Sequence, residues 1–337
     1  MRHRAEITKK ILEKSVPLDR IEDLFYGADY LEAVQSGKIK DDDMVVLLSI
    51  DGAQLYASKT SDCWFLIWII FDLSPDLRYK KRYVLPGGII PGPHKPKNMD
   101  SFLFPSLYHV AAIQKEGLQV WDAARECLFR SIVHLLLGTS DSPGLTHLSG
   151  GVGHLGRCGC RKHCGMPGRR KEDGHTYYPV MALPDNFTVE GCSHPDYTNI
   201  RDLPESSTVT CARYDTNLAQ LCSARNQTQY ERLRLLTGLA KPSLFSRLHL
   251  PFPIPACFPL DIMHLLALNI TDLVLGLLQA TIVCDSTDDK SSWIVELCAI
   301  VGVPVTASSH NFAGGSLAVR PTDAPIGARR SRAIPEL

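Results

Sequence analysis

No apolar run in this 337-residue chain reaches the roughly 18 residues that a membrane-spanning helix needs. The longest, residues 63–71 and 270–284, stop short, and Asp272 interrupts the second. A secretory signal is also missing, because MRHRAEITKKILEKS carries charge with no apolar stretch behind it, so a nuclear or cytoplasmic, non-secreted protein is expected. Net charge is absent as well: 36 Lys or Arg stand against 36 Asp or Glu, which argues against a surface that coats nucleic acid everywhere. His-Glu-x-x-His does not occur, and no Gly-Lys-Ser/Thr follows GGIIPGPHKPKN, whose prolines delete the amide donors of a phosphate loop. What is present is ordinary globular material, 45% hydrophobic and 21% charged.

Eleven cysteines in a reducing compartment do not read as a disulfide framework, and the sequons at Asn186, Asn226 and Asn269 read as chance matches. Clustered cysteines then point to metal or redox chemistry. The cluster is RCGCRKHCGMPGRRK, residues 157–171, which also holds six basic side chains and no acid: Arg157, Arg161, Lys162, Arg169, Arg170 and Lys171. Either a solvated loop or a phosphate-binding patch fits that charge.

The pattern along the chain is α/β. Residues 1–40 read as an N-terminal helical segment, with short helices around residues 7–13 and 28–35. Residues 41–141 read as the first part of a core. DDDMVVLLSIDG is an apolar run suited to a strand buried on both faces and ends at Asp51. Residues 63–73 make a second strand and 81–85 a third, followed by a turn-rich PGGIIPGPHKPKN. A helix runs from Asp100 to a stop at Gly117, and residues 132–137 form a fourth strand that delivers the chain to Asp141. Residues 142–258, rich in Gly, Pro, Cys and His, read as an insertion held by something other than a large core. Residues 259–296 return as a buried helix with a polar stripe that includes Asp261, His264 and Asp272, and residues 297–337 as a disordered tail.

Two carboxylates at neighbouring strand ends can hold a divalent cation through oxygen, so Asp51 and Asp141 are the candidate catalytic and Mg²⁺ or Mn²⁺ ligands. Taken alone each is equally a turn-forming Asp, before Gly52 and before Ser142 and Pro143; the strand order favours the site. Thiolates and imidazoles in number suit tetrahedral Zn²⁺ of structural type. Cys160 and Cys164 are the expected pair, Cys158 a spectator, and the remaining ligands stay open among Cys192, His194, His249 and His264.

Four segments in order resemble the CACTA-type (En/Spm-like) cut-and-paste DNA transposases of fungi and plants: SIDGAQLYASKTSDCW, VLPGGIIPGPHKPKNMDSFLFPSLYHVAAIQKEGLQVWDA, GTSDSPGLTHLSGGVGHLGRCGCRKHC and FPLDIMHLLALNI. The likeness covers residues 40–293. It implies a ribonuclease H-like mixed sheet flanked by helices with a Cys/His-rich, zinc-type insertion, transposon-end DNA as partner, and homo-oligomerisation left open. It implies an Asp, Asp, Glu triad on two metal ions, with Asp51 and Asp141 as the first two acids, Cys160 and Cys164 as the zinc-type pair, and His264 as a further metal ligand. Past residue 293 the likeness ends, so the third acid is expected to be missing and the chain inactive alone; Glu296, Asp261 and Asp272 are the nearby acids. The alternative is a non-catalytic, zinc-stabilised DNA- or protein-binding remnant.

Overall fold

Eleven residues of continuous strand, MVVLLSIDGAQ, form the centre of the molecule's main sheet. The computed structural model describes residues 2–14, 21–54, 62–92, 96, 98–168, 170, 175–177 and 207–278. The chain divides into two units, Met1–Leu260 and Asp261–Leu337.

In the first unit, β1 (Met44–Gln54) pairs antiparallel with β2 (Asp62–Ile70), and β2 pairs antiparallel with β3 (Leu85–Ile90). After helix α4 (Asp100–Glu116) and a two-stranded hairpin, β4 (Leu118–Asp122) and β5 (Cys127–Ser131), the chain re-enters the sheet as β6 (Val133–Thr139), parallel to β1. The sheet order is β3-β2-β1-β6. A parallel neighbour to β1 needs a crossover, and α4 with the hairpin supplies it.

Both faces of β1 are buried, as its unbroken apolar run demands. Val46, Leu48 and Ile50 join Trp64, Leu66 and Leu135 in a cluster with Leu103 and Leu107 of α4. Val45 and Leu47, one residue out of phase, join Ile69, Phe71 and Leu136 against Ile11 of α1 (His3–Leu12), Phe25, and Tyr30 and Ala33 of α2 (Ala28–Gln35). The first forty residues are thus the second half of the core.

Three expectations change. The third strand lies at Leu85–Ile90, so the PGGII read as turn is strand, and residues 81–84 are its approach. Glycine is required there: a Cβ on Gly87 would sit 2.6 Å from Nε1 of Trp68, so the indole occupies its place. The hairpin β4–β5 had no Asn-Gly or Asp-Gly signal; its turn passes through Glu126 at φ 51°. The insertion does use a large core. Leu145 and Leu148 of α5 (Ser142–Ser149), Tyr214 and Leu221 of α6 (Ser207–Cys222), and Leu239, Phe245 and Phe258 all enter the α4-side cluster. Helix α7 (Gln227–Thr237) follows α6 and stops at Gly238 in the left-handed region, φ 72°.

The second unit is described from Asp261 to Leu278. A π-helical stretch, Met263–Ile270, runs into α8 (Thr271–Leu278). The burial expected for this helix is not found within it: Met263, Leu266, Leu273 and Leu275 are among side chains exposed by 46–59%. The tail expected at residues 297–337 lies outside the described residues.

Candidate metal centre and cysteine knuckle

The parallel register of β1 and β6 pairs Leu48 with Gly138 and Ser49 with Thr139. Asp51 and Asp141 each lie two residues further on, Asp51 still within β1, which continues to Gln54, and Asp141 past the end of β6. Side chains alternate along extended chain. Asp141 is half-buried beyond the end of β6, whereas within β1 Ile50 is buried and Asp51, exposed, alternates to the other face. That is the face covered by α1 and α2 at Val45 and Leu47. The cover stops before Ser49, which is half-buried, and leaves the Asp51 end accessible.

Each carboxylate has a local reason for its place. Asp51 stands in β1 opposite Phe65 of β2, followed by Gly52, over which the Trp64 ring lies: a Cβ there would meet its Cε2 at 3.4 Å. Asp141 caps α5, its Oδ1 accepting from the Gly144 amide at 2.7 Å and from the Ser140 hydroxyl at 3.3 Å. The turn role weighed for Asp141 is therefore realised, as the cap of α5. The donor set, two carboxylates at one sheet end, is of the hard-oxygen kind that suits Mg²⁺ or Mn²⁺.

The knuckle follows α5. His163 adopts φ 52°, its amide donating to the Cys160 carbonyl at 2.9 Å, which closes the turn between Cys160 and Cys164. The Cys164 thiol donates to Cys160, which holds the Cys160 thiol below its ordinary value and pushes Cys164 up. His163 does not join them. Its ring is buried edge-on to Tyr214 at 5.2 Å, and burial, with Arg213 beside it, lowers its pKa to about 4. Cys158 points elsewhere, its Sγ 3.5 Å from the Leu236 carbonyl, and burial raises its pKa. Soft donors suit Zn²⁺, but among the described residues no three His, Cys, Asp or Glu side chains gather as a metal-binding group. Cys192 and His194 lie outside the described residues, and His249 is exposed with its amide held by Gln114 Oε1 at 3.0 Å.

The basic patch is less outward than its sequence implies. Lys162 Nζ donates to the Phe258 carbonyl at 2.8 Å, and burial lowers its pKa. Arg161 is half-buried, with Nη1 enclosed and unpartnered. It lines a cavity of about 60 Å³ with Cys158, Cys160, His154 and Ser149. Arg157 is half-buried and Arg170 exposed, its guanidinium 5.3 Å from the Tyr177 ring centre; Arg169 and Lys171 lie outside the described residues. Arg213, not singled out in the sequence, hydrogen-bonds the Cys164 carbonyl and ties α6 to the knuckle.

In the second unit Asp261 caps its helix, Oδ1 accepting from the His264 amide at 3.1 Å and Oδ2 from its ring. The pair is local, and His264 is exposed to 39% in its side chain. Glu296 lies outside the described residues.

Residues 34–177 match the model of the transposase family tnp2. The matched stretch runs from the end of α2 through the knuckle and contains Asp51, Asp141, Cys160 and Cys164. It supports a transposase family for the chain. No curated protein matches it. No helix among the described residues is long and apolar enough to cross a membrane.

Proposed function

We propose that the chain carries the catalytic sheet of a CACTA-type cut-and-paste DNA transposase, of ribonuclease H-like fold, in which Asp51 and Asp141 hold Mg²⁺ or Mn²⁺ at the scissile phosphate. The observation that supports the reading is the β1/β6 register, which pairs Ser49 with Thr139, each two residues before one of two aspartates that are ninety positions apart in sequence. The order β3-β2-β1-β6, with three antiparallel strands and a fourth parallel to the first, supports the same fold.

When bound, such an ion activates a water and stabilises the leaving oxygen of the phosphodiester. The chain's part is positional. Strand β1 holds Asp51 through its pairing with Phe65 of β2, and the α5 cap fixes the rotamer of Asp141 through Gly144. Two carboxylates favour one ion; the second ion of the family's chemistry calls for a third acid, for which Asp261, Asp272 and Glu296 are the sequence's candidates, and without one the chain is expected to be inactive alone. Cys160 and Cys164 would supply two thiolates of a structural Zn²⁺ site.

Mn²⁺-dependent nicking of supercoiled DNA by the purified chain tests the reading. Where one of those acids completes the site, nicking should be measurable above background and fall to background in Asp51→Ala and in Asp141→Ala. Nicking that survives either change removes the two aspartates from the chemistry. If wild type binds DNA but never nicks at any Mn²⁺ concentration, the non-catalytic reading replaces this one.

A further inference from the structure

Two of the knuckle's basic groups have partners in the fold: Lys162 meets the Phe258 carbonyl and Arg170 the Tyr177 ring. Arg161 Nη1 has none, although it is fully enclosed. A guanidinium stays charged throughout the pH range of folded proteins, and an enclosed charged donor without an acceptor costs more than a neutral one. Such a donor calls for an acceptor from outside the chain. Cys160, its neighbour in sequence, has its sulfur engaged by the Cys164 thiol and by the Lys162 and Cys164 amides.

The cavity that Arg161 lines has room for that acceptor. Ser142, Thr146 and Ser149 line it from α5, at the spacing of four and three residues that places side chains on one helix face, and Gly153 and His154 line it from the loop that runs into the knuckle. A Cβ on Gly153 would stand 3.2 Å from Thr146 Cγ2, so the bare glycine leaves that space open. No Asp or Glu is among its described lining residues, and the charge of Arg161 is unopposed within it. Ser142 and His154 are exposed, which makes the cavity reachable from solvent. Its volume, about 60 Å³, is that of about two waters. Two waters would satisfy the donor and leave the charge; a tetrahedral oxyanion answers both.

We infer that this cavity is a phosphate site, in which Arg161 binds a tetrahedral oxyanion beside the exposed Ser142 and His154. Free phosphate and a nucleic-acid backbone present the same oxygens to a guanidinium. Ser142 follows Asp141 in the chain, so the backbone source is a strand held at the candidate centre. That source rests on the transposase reading, whereas the oxyanion site does not.

The probe is inorganic phosphate, added to the full chain in urea titrations, with chloride at equal ionic strength as the control. A ligand that binds only the folded state raises the unfolding midpoint with the logarithm of its concentration. Phosphate also stabilises folded proteins by exclusion from their surface, so the measure is the difference between wild type and Arg161→Met, which keeps an unbranched stem without the charge. The wild-type midpoint should rise with phosphate more steeply than the variant's. Parallel rises in the two folded proteins overturn the inference, since the enclosed nitrogen then holds water only. A second measurement needs no variant. Phosphate should slow phenylglyoxal modification of Arg161, read by mass spectrometry against the exposed Arg225 of the same chain; an Arg161 rate that phosphate changes no more than that of Arg225 overturns the inference too.

Duplex DNA then separates the two sources. If the backbone supplies the phosphate, Arg161→Met lowers the slope of log K against log salt by about 0.9, the share of one contact, and inorganic phosphate competes with DNA more strongly than chloride at equal ionic strength. If only free phosphate binds, wild type and variant hold DNA equally, and the site stands with its DNA source withdrawn. The nuclease is judged apart. Arg161-dependent stabilisation by phosphate without Mn²⁺-dependent nicking keeps the site and loses the nuclease; nicking with parallel phosphate responses keeps the nuclease and loses the site.

Discussion

Asp43 shows how one residue decides where β1 begins. Its Oδ2 accepts from the Lys40 amide at 2.8 Å and from His134 Nε2 at 3.1 Å, and its Oδ1 from the Ile132 amide at 3.2 Å, so the approach to β1, the approach to β6 and β6 itself meet at one carboxylate. Burial alone would raise its pKa, but the bonds from His134, Lys40 and Ile132 outweigh burial and hold it below the usual carboxylate value. Its folded pKa therefore lies below its unfolded one. The stabilisation is present above the unfolded value, about 4, and is lost as pH falls through the folded value. Urea midpoints measured from pH 6 down to pH 3 should fall more steeply for wild type than for Asp43→Asn, which lacks the titration; equal slopes would mean that Asp43 plays no part in acid unfolding. The same lesson applies to the knuckle. That β1 and β6 exist was legible from apolar runs bounded by acid and Gly, although β1 continues three residues past Asp51 and β6 stops two short of Asp141, whereas the inward aim of Lys162 and the burial of His163 depend on Phe258 and Tyr214, which lie 96 and 51 positions away in the chain.

At the scale of elements, β1, β2 and β6 were readable because each is a continuous apolar run, and α4 because its spacing and Gly117 mark its face and its end. What escaped was whatever takes its identity from a partner. β3 holds two glycines that look like a turn until Trp68 covers Gly87, and β4–β5 has a four-residue turn without a left-handed glycine. Gly138 in β6 is the same kind of position, and it bears on the candidate centre three residues later. A Cβ there would fall 2.6 Å from Phe245 and 3.2 Å from Phe258, whose rings are fully buried at 5.3 Å from one another. Its amide also donates to the Cys257 carbonyl at 2.9 Å, closing the outer edge of β6. The rings have no free volume to yield, so Gly138→Ala should destabilise the fold by about 1–3 kcal/mol through overpacking. Chemical denaturation measures this. Adding Phe245→Leu should recover part of the loss if the clash is with that ring, and no recovery would place the strain in the backbone.

Across the whole first unit, the two faces of the sheet are closed by parts of the chain that lie at opposite ends of the sequence, α6 and α7 with the Phe245–Phe258 stretch on one side and the first forty residues on the other. Two buried arginines clamp the second face. Arg78 makes a two-pronged pair with Asp23 at 2.9 and 2.7 Å and lies against the Phe71 ring at 4.8 Å. Arg4, 1% exposed, donates to Asp72 at 2.8 Å, to the Tyr30 hydroxyl at 3.2 Å and to the carbonyls of Lys40, Asp41 and Asp43. Replacing Arg4 by Met keeps the bulk of the stem but strands the Asp72 carboxylate, whose pKa burial already raises, and leaves those carbonyls unsatisfied. The expected cost is about 3–5 kcal/mol, the range for breaking a buried pair from one side. Arg4→Met with Asp72→Leu should recover much of it, because no unpaired charge is then buried. Function separates this clamp from the candidate centre. Seven residues of β1 separate Met44 from Asp51, about 23 Å of extended chain. At a temperature where Arg4→Met remains folded, its Mn²⁺-dependent nicking per folded molecule should equal that of wild type while its urea midpoint drops. If nicking falls in step with nothing but Arg4 changed and the fold intact, the two ends of β1 are coupled, and the N-terminal cap belongs to the site as well as to the core.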